Sequence, residues 1–277
     1  MLFHKKIKVT ESDEWMPFLV LVVGQACSLK CKNCANFAPY APKEMLHYSF
    51  ADIQRSLTVI WNALGGIKKV QIQGGEPFLC NYMAELLHFL QQSHRVGEIT
   101  ITTNATILPQ KKVIHALKKS DALVTLSNYE NLRGGVFHEL VTKLKKEKIA
   151  YQIYNFAKGK GSWIDLGDIY TKRENNDEIV YERLKQCPYK WCMTLEKNIL
   201  GYCSRSTVAK KVLKLEEKDG DYLDLWDEVD IKNRLIRYVH WYRGGHVMEA
   251  CHYCNPDGQD IVPAVQIEEE IEGEIRK

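Results

Sequence analysis

Apolar positions in the first 155 residues alternate between two rhythms. Residues 18–23 form a continuous, β-branched apolar run, which predicts a buried strand. From Ser49 to Leu64 the apolar residues fall at Ile53, Leu57, Ile60 and Leu64, one face of a helix, with Ser49 placed to cap its start. The same reading gives a strand over Lys69–Gln73, a helix over Tyr82–Leu90, a strand over Glu98–Thr103 and a helix over Val113–Leu117. A strand over Ala122–Leu126, a helix over Phe137–Lys148 and a strand over Ile149–Tyr154 complete the series. Repeated βα units imply a parallel sheet, and such sheets bind ligands at the carboxyl ends of their strands.

Composition narrows the class. A chain of 277 residues with 45% hydrophobic content can bury one large core with an appendage. Its 38 basic and 35 acidic side chains give a net charge of +3, so no global field marks a nucleic-acid or membrane binder. The basic run Lys143–Lys148 lacks interleaved aromatic residues and reads as the solvated face of a helix. No signal peptide or membrane-length apolar run is evident, so a cytoplasmic location is expected. Nine cysteines in that compartment argue for metal ligation or catalysis over disulfides.

Three of them, Cys27, Cys31 and Cys34, follow the first strand in a C-x3-C-x2-C run. Three thiolates on one loop suit three corners of an iron-sulfur cube and leave one iron open; zinc with a distant fourth ligand is the alternative. The second strand ends in Gly74-Gly75-Glu76-Pro77, where paired glycines permit a tight turn and a close backbone approach. A strand-end turn needs glycine for steric reasons alone, so this motif is weak by itself.

Together the two motifs resemble the radical S-adenosylmethionine (radical SAM) superfamily. The resemblance implies a partial (β/α)6 TIM-like barrel in which Cys27, Cys31 and Cys34 hold a 4Fe-4S cluster. S-adenosylmethionine would chelate the open iron, and Gly74, Gly75, Glu76 and Pro77 would hold its methionine amino group through backbone and acidic acceptors. Asn104, in a Thr-Thr-Asn segment after the third strand, and Ser127, after the fourth, occupy places where that family meets the cofactor; each could equally be a strand-end cap. Ala105 replaces the family's glycine after Asn104. Asn33 stands where an aromatic residue packs on adenine, which leaves Phe37 or another residue for that role.

The last third carries a second group, Cys187, Cys192, Cys203 and the pair Cys251 and Cys254. Cys192 and Cys203 flank a predicted hairpin, Thr194 to Leu200, turning at Lys197-Asn198. A hairpin cysteine plus a distant C-x2-C supplies four thiolates, enough for a closed cluster or a structural zinc. The layout resembles the twitch module, a short form of the SPASM domain, which implies a second, auxiliary 4Fe-4S cluster. Its ligands would be Cys203, Cys251, Cys254 and one of Cys187 or Cys192; hairpin pairing favours Cys192, and the longer spacing of the module favours Cys187. The remaining thiol is a core residue or a hydrogen-atom donor to a substrate radical. Cys80, close after Glu76, reads as a packing residue. Three segments follow: a barrel core over 1–180, a twitch-like module over 181–260, and an acidic tail over 261–277.

What the resemblance implies chemically is reductive cleavage of S-adenosylmethionine to a 5'-deoxyadenosyl radical, with electrons from a donor such as flavodoxin or ferredoxin. The auxiliary cluster would accept an electron from the substrate, making net oxidation the leading outcome. Compact relatives of this layout include aminocyclitol dehydrogenases of the butirosin type and glycan-pathway members, and residues 192–203 resemble a segment common in the latter. A sugar, amino-sugar or aminocyclitol carbinol is therefore the expected substrate. Carbohydrate epimerisation or deoxygenation, and modification of a ribosomally made peptide, are the runners-up; a zinc or iron-sulfur binding module is the non-enzyme alternative. His47, His240, His246, His252, Glu249, Arg205, Tyr40 and Lys43 are polar-pocket candidates without an assigned role.

Overall fold

The apolar run at residues 18–23 becomes the middle of a sheet. The computed structural model describes residues 15–129, 132, 135–156, 163–168, 170–187, 189–190, 192–213, 215, 218, 220–244 and 246–267. Among them the strands are β1 (Leu19–Val22), β2 (Ile67–Gln73), β3 (Val96–Thr103), β4 (Leu123–Asn128) and β5 (Tyr151–Asn155), then β6 (Trp163–Ile164), β7 (Thr194–Glu196), β8 (Ile199–Gly201), β9 (Tyr222–Asp224) and β10 (Asp260–Ile261). The helices are α1 (Lys43–Leu46), α2 (Phe50–Ala63), α3 (Met83–Gln92) and α4 (Lys111–Lys119), then α5 (Gly135–Glu147), α6 (Asp177–Gln186), α7 (Ser204–Leu213) and α8 (Ile231–Gly244).

Eight strands form one sheet in the order β5-β4-β3-β2-β1-β7-β8-β9. Neighbours from β5 through β1 to β7 run parallel; β7, β8 and β9 are antiparallel. The expected α/β architecture with a parallel core is present. Its sixth parallel strand, however, is β7, which joins at the β1 edge, with Val20 opposite Thr194 and Val22 opposite Glu196. β6 instead pairs antiparallel with β10 in a separate ribbon.

Local chemistry explains the elements. Ser49 Oγ accepts from Asp52 N at 3.1 Å, capping α2 as its sequence implies. Ile53, Leu57 and Ile60 are fully buried, and this face of α2 packs on the sheet's core cluster. β1 is buried at every position because it is flanked on both edges and covered on both faces, which is why it reads as an unbroken apolar run. The hairpin turns at Lys197, whose φ of 57° supplies the left-handed backbone of a tight β-turn.

One apolar core runs from Leu21 and Ile72 to Leu200, Leu223 and Leu235. The segments 1–180 and 181–260 thus share both sheet and core, and residue 180 lies within α6. Of the segment 261–277, residues 264–267 dock on the first cysteine loop: Lys32 N donates to Val265 O and Ile267 N to Lys30 O, at 2.8 and 2.7 Å. The acidic stretch Glu268–Glu274 lies outside the described residues. Among the described residues no helix is long and apolar enough to cross a membrane.

Candidate active site

The carboxyl ends of β1 to β4 form one rim, and a residue that the sequence singles out lies at each of them: just after β1, β2 and β3, and in Ser127 at the penultimate position of β4. Cys27, Cys31 and Cys34 follow β1. Their sulfurs are surrounded by N–H groups. Cys27 Sγ accepts from Leu29 N at 3.4 Å and from Asn104 Nδ2 at 3.6 Å, and Cys31 Sγ accepts from Gln266 Nε2 at 3.4 Å. Cys34 has backbone donors at Asn36, Phe37 and Ala38. Burial pushes the Cys27 thiol up to about 12 and the Cys31 thiol up to about 11, and each also feels the charge of Cys34. Bare thiols here stay protonated, whereas a metal that replaces the protons finds sulfurs already supplied with donors for their negative charge. The donor set fits an iron-sulfur group.

The Gly-Gly-Glu-Pro turn is built against this loop. A Cβ on Gly74 would stand 2.1 Å from Gly24 O, and one on Gly75 would stand 2.3 Å from Ala26 O. Gly75 N and Glu76 N donate to those same two carbonyls. The glycines are therefore required for packing β2's exit onto the approach to Cys27, in addition to any cofactor role. The sequence reading has Glu76 reaching toward a ligand. In the structure it is 2% exposed and turned inward. Its oxygens accept from Phe78 N, Asn104 N and the Thr103 hydroxyl at 2.8 to 3.0 Å. Burial pushes its carboxyl up to about 7, against the pull of those donors. Pro77, itself buried, begins a 3-10 turn, and the Gly74 carbonyl accepts from Asn36 Nδ2.

Asn104 does reach the cysteine loop, donating to Ser28 Oγ at 3.1 Å as well as to Cys27. Ser127 is buried at the end of β4 and bonds to Tyr129. Phe37 is not open for ring stacking, because the Arg205 guanidinium lies 4.6 Å over its ring. Tyr129 is the aromatic residue that faces all three cysteines electrostatically, and it stacks on Phe156 at 5.2 Å. Sequence reasoning missed it, although an aromatic residue directly after β4, with another after β5, is a readable signal.

The second cysteine group surrounds a cavity of about 260 Å³. Cys187, Cys203, Cys251 and Cys254 all line it, whereas Cys192 does not. Cys251, Cys254 and Cys192 each feel the charge of Cys203 and Cys187, so all five thiols are electrostatic neighbours. Burial raises all of these thiols, Cys254 and Cys192 to about 12. Among the described residues no three His, Cys, Asp or Glu side chains are arranged to hold a single metal ion.

Arg205 stands between the two groups. It is buried under Phe37, beside the first loop, and its charge is felt by Cys203 and Cys254. It donates to Gly167 O at 2.7 Å, and with Cys34 and Tyr40 it lines a cavity of about 180 Å³. Three further candidates have partners within the fold, and one of them, His246, also lines the cavity of the second cysteine group. His252 bonds to Glu174 O and pairs with Asp177, His246 meets Asp221, and Glu249 pairs with Lys172 and Lys218. Cys80 packs against the core as anticipated.

Comparison with known proteins agrees with the rim. Residues 21–127 match the family model described as Radical SAM superfamily. The GTP 3',8-cyclase of Staphylococcus saprophyticus is 27% identical over 170 residues, covering 58% of this chain and 48% of the cyclase. That of Listeria welshimeri is 31% identical over 167 residues, with the same coverage. The chain spans about half the length of the curated relatives it matches. Among solved structures, BtrN in complex with AdoMet and 2-DOIA superposes with a TM-score of 0.52 at 13% identity, covering 88% of this chain and 94% of BtrN. Native anSMEcpe with bound AdoMet gives 0.53 at 15% identity, with 82% of each chain covered. The likeness to these two structures lies in the fold. The residues that match the family model are those that build the rim, and they carry the chain's likeness to the radical SAM superfamily.

Proposed function

We propose that this radical SAM enzyme oxidises a carbinol carbon of a sugar, amino-sugar or aminocyclitol, using two iron-sulfur clusters. Cys27, Cys31 and Cys34 hold the first, with S-adenosylmethionine seated beside Gly74–Pro77, Asn104 and Ser127. Cys187, Cys203, Cys251 and Cys254 hold the second. The observation that carries this reading is that these last four thiols line one cavity of about 260 Å³ while the fifth, Cys192, does not. A closed set of four suits a centre that exchanges electrons without binding substrate.

Bound S-adenosylmethionine and its cluster supply reductive carbon-sulfur cleavage and the hydrogen-abstracting radical. The chain does the rest. Asn104 and Gln266 offer N–H groups to cluster sulfurs. Glu76 fixes the β3 exit that presents Asn104, since the same carboxylate oxygen accepts from Thr103 and from Asn104 N. Tyr129 walls the rim on the β4 side. Arg205 places a fixed positive charge between the two cysteine groups, where it stabilises negative charge on the second. Cys192 is left as a core thiol or hydrogen-atom donor. An external flavodoxin- or ferredoxin-like donor completes the electron supply.

A zinc knuckle built from the same four thiols is the alternative reading, and metal analysis separates the two. The test is anaerobic reconstitution, analysis of iron and sulfide, and a screen of deuterated sugars, aminocyclitols and peptides, with GTP included because of the curated relatives. Deuterium transferred into 5'-deoxyadenosine from a carbinol position, with formation of a ketone, supports the reading. Transfer from a peptide or from GTP alone overturns the substrate class, and zinc without iron overturns the whole.

A further inference from the structure

The first cysteine loop is held by a part of the chain more than 230 residues away, and the contact is made at its central cysteine. Cys31 is the most buried of the three, at 7% exposed. Residues 30–32 pair antiparallel with 265–267, Cys31 bridging to Gln266. Gln266 uses both ends of its carboxamide: Oε1 accepts from Lys30 N at 2.7 Å, and Nε2 donates to Cys31 Sγ at 3.4 Å and to Ala264 O at 2.7 Å. Ala264, fully buried with φ 55°, anchors the segment before it reaches the loop.

A cysteine sulfur on a cluster carries more negative charge after reduction than before. An N–H donor aimed at that sulfur therefore stabilises the reduced state more than the oxidised one and raises the potential. The Lys30 and Lys32 backbone pairings already hold the loop, so the sulfur contact of Nε2 is not needed for attachment. We propose that Gln266 is a positioning residue that tunes the S-adenosylmethionine-binding cluster through Cys31, with residues 264–267 as the strap that delivers it. This rests on the cluster assignment made above for Cys27, Cys31 and Cys34.

Two variants separate tuning from attachment. Gln266→Glu keeps the acceptor for Lys30 N and replaces the donor to sulfur by a charge; Gln266→Leu removes both contacts without adding one, so a fall shared by the two reports loss of the donor. Each is reconstituted as full-length protein and titrated with dithionite. The cluster signal that changes on adding S-adenosylmethionine is followed by electron paramagnetic resonance. At a fixed ambient potential the ratio of reduced to oxidised cluster falls about three- to tenfold in Gln266→Glu, with iron content and melting temperature at wild-type values. Gln266→Leu shows at least the three-fold fall. An unshifted titration in a fully loaded Gln266→Glu variant overturns the proposal, as does loss of iron in Gln266→Leu with no shift in Gln266→Glu, since either leaves the strap a purely mechanical role. If the wild-type protein takes up no cluster that responds to S-adenosylmethionine, the cluster assignment itself falls.

Discussion

Gln25 Nε2 donates to Glu196 Oε1 at 2.9 Å, joining the residue two before Cys27 to the last residue of β7. Tyr48 OH donates to the same oxygen at 2.9 Å. Burial holds the Glu196 carboxyl above the ordinary range, although Gln25, Tyr48, Thr207 and Lys211 pull it down. Glu196 Oε2 and Gln25 Oε1 are buried without hydrogen-bond partners. A protonated carboxyl turns the first of these into a donor in a contact whose other member lacks one. Replacing Glu196 by Gln keeps an acceptor for Gln25 and Tyr48 and removes the chargeable group, so it should be neutral or stabilising at pH 8. Glu196→Ala, which orphans two donors, should cost about 2–4 kcal/mol. Thermal unfolding of the loaded proteins distinguishes them; equal losses in both would show that the charged form is the stabilising one.

Glu76 sets a pH dependence of its own. Its folded pKa, about 7, lies above the ordinary 4.5, so the folded state holds a proton that the unfolded state has released between these values. The associated stability is fully present below pH 4.5 and is lost as pH rises through 7. Glu76→Gln should flatten the wild-type loss between pH 5.5 and 8 while weakening S-adenosylmethionine binding through a displaced Asn104. A melting curve for the variant that still declines in parallel with wild type would place the titrating group elsewhere.

Gly75→Ala tests whether the turn is built for packing. The added methyl meets backbone oxygens at Ala26 and Gln25, which cannot rotate away. A loss of about 3 kcal/mol or more is expected, visible in melting without any cofactor. An alanine variant with wild-type stability would mean that the glycines serve only the ligand.

Cys187 and Cys192 should separate cleanly on metal content. Wild-type protein with two cubane clusters holds about eight irons. Cys187→Ala should fall toward about four, while Cys192→Ala keeps about eight. Retained turnover in Cys192→Ala would also remove Cys192 as a hydrogen-atom donor. The reverse pattern of iron loss would return Cys192 to the ligand set.

Period and punctuation made much of this legible. The spacing of Ile53, Leu57 and Ile60 yields α2, the β-branched runs yield the parallel strands, and the two cysteine groups fall where their spacing suggests. Contacts between residues far apart in sequence were not legible. Gln25 with Glu196, Gln266 with Cys31, and Arg205 over Phe37 depend on β7 lying beside β1 and on residues 264–267 returning to the first loop, and neither leaves a local pattern. Glu76 shows the other limit. Its position in the motif suggests an outward acceptor, but orientation follows from whichever donors reach it first, here Thr103 and Asn104 N.

The sharing of β1 between β2 and β7 constrains what can be cut away. A truncation after residue 180 would strip β7 from Val20 to Val22 and leave an apolar, β-branched strand with an unpaired row of amides at the margin of the sheet. Such margins recruit other chains, so a shortened form of this enzyme should aggregate on expression instead of behaving as a minimal catalytic core.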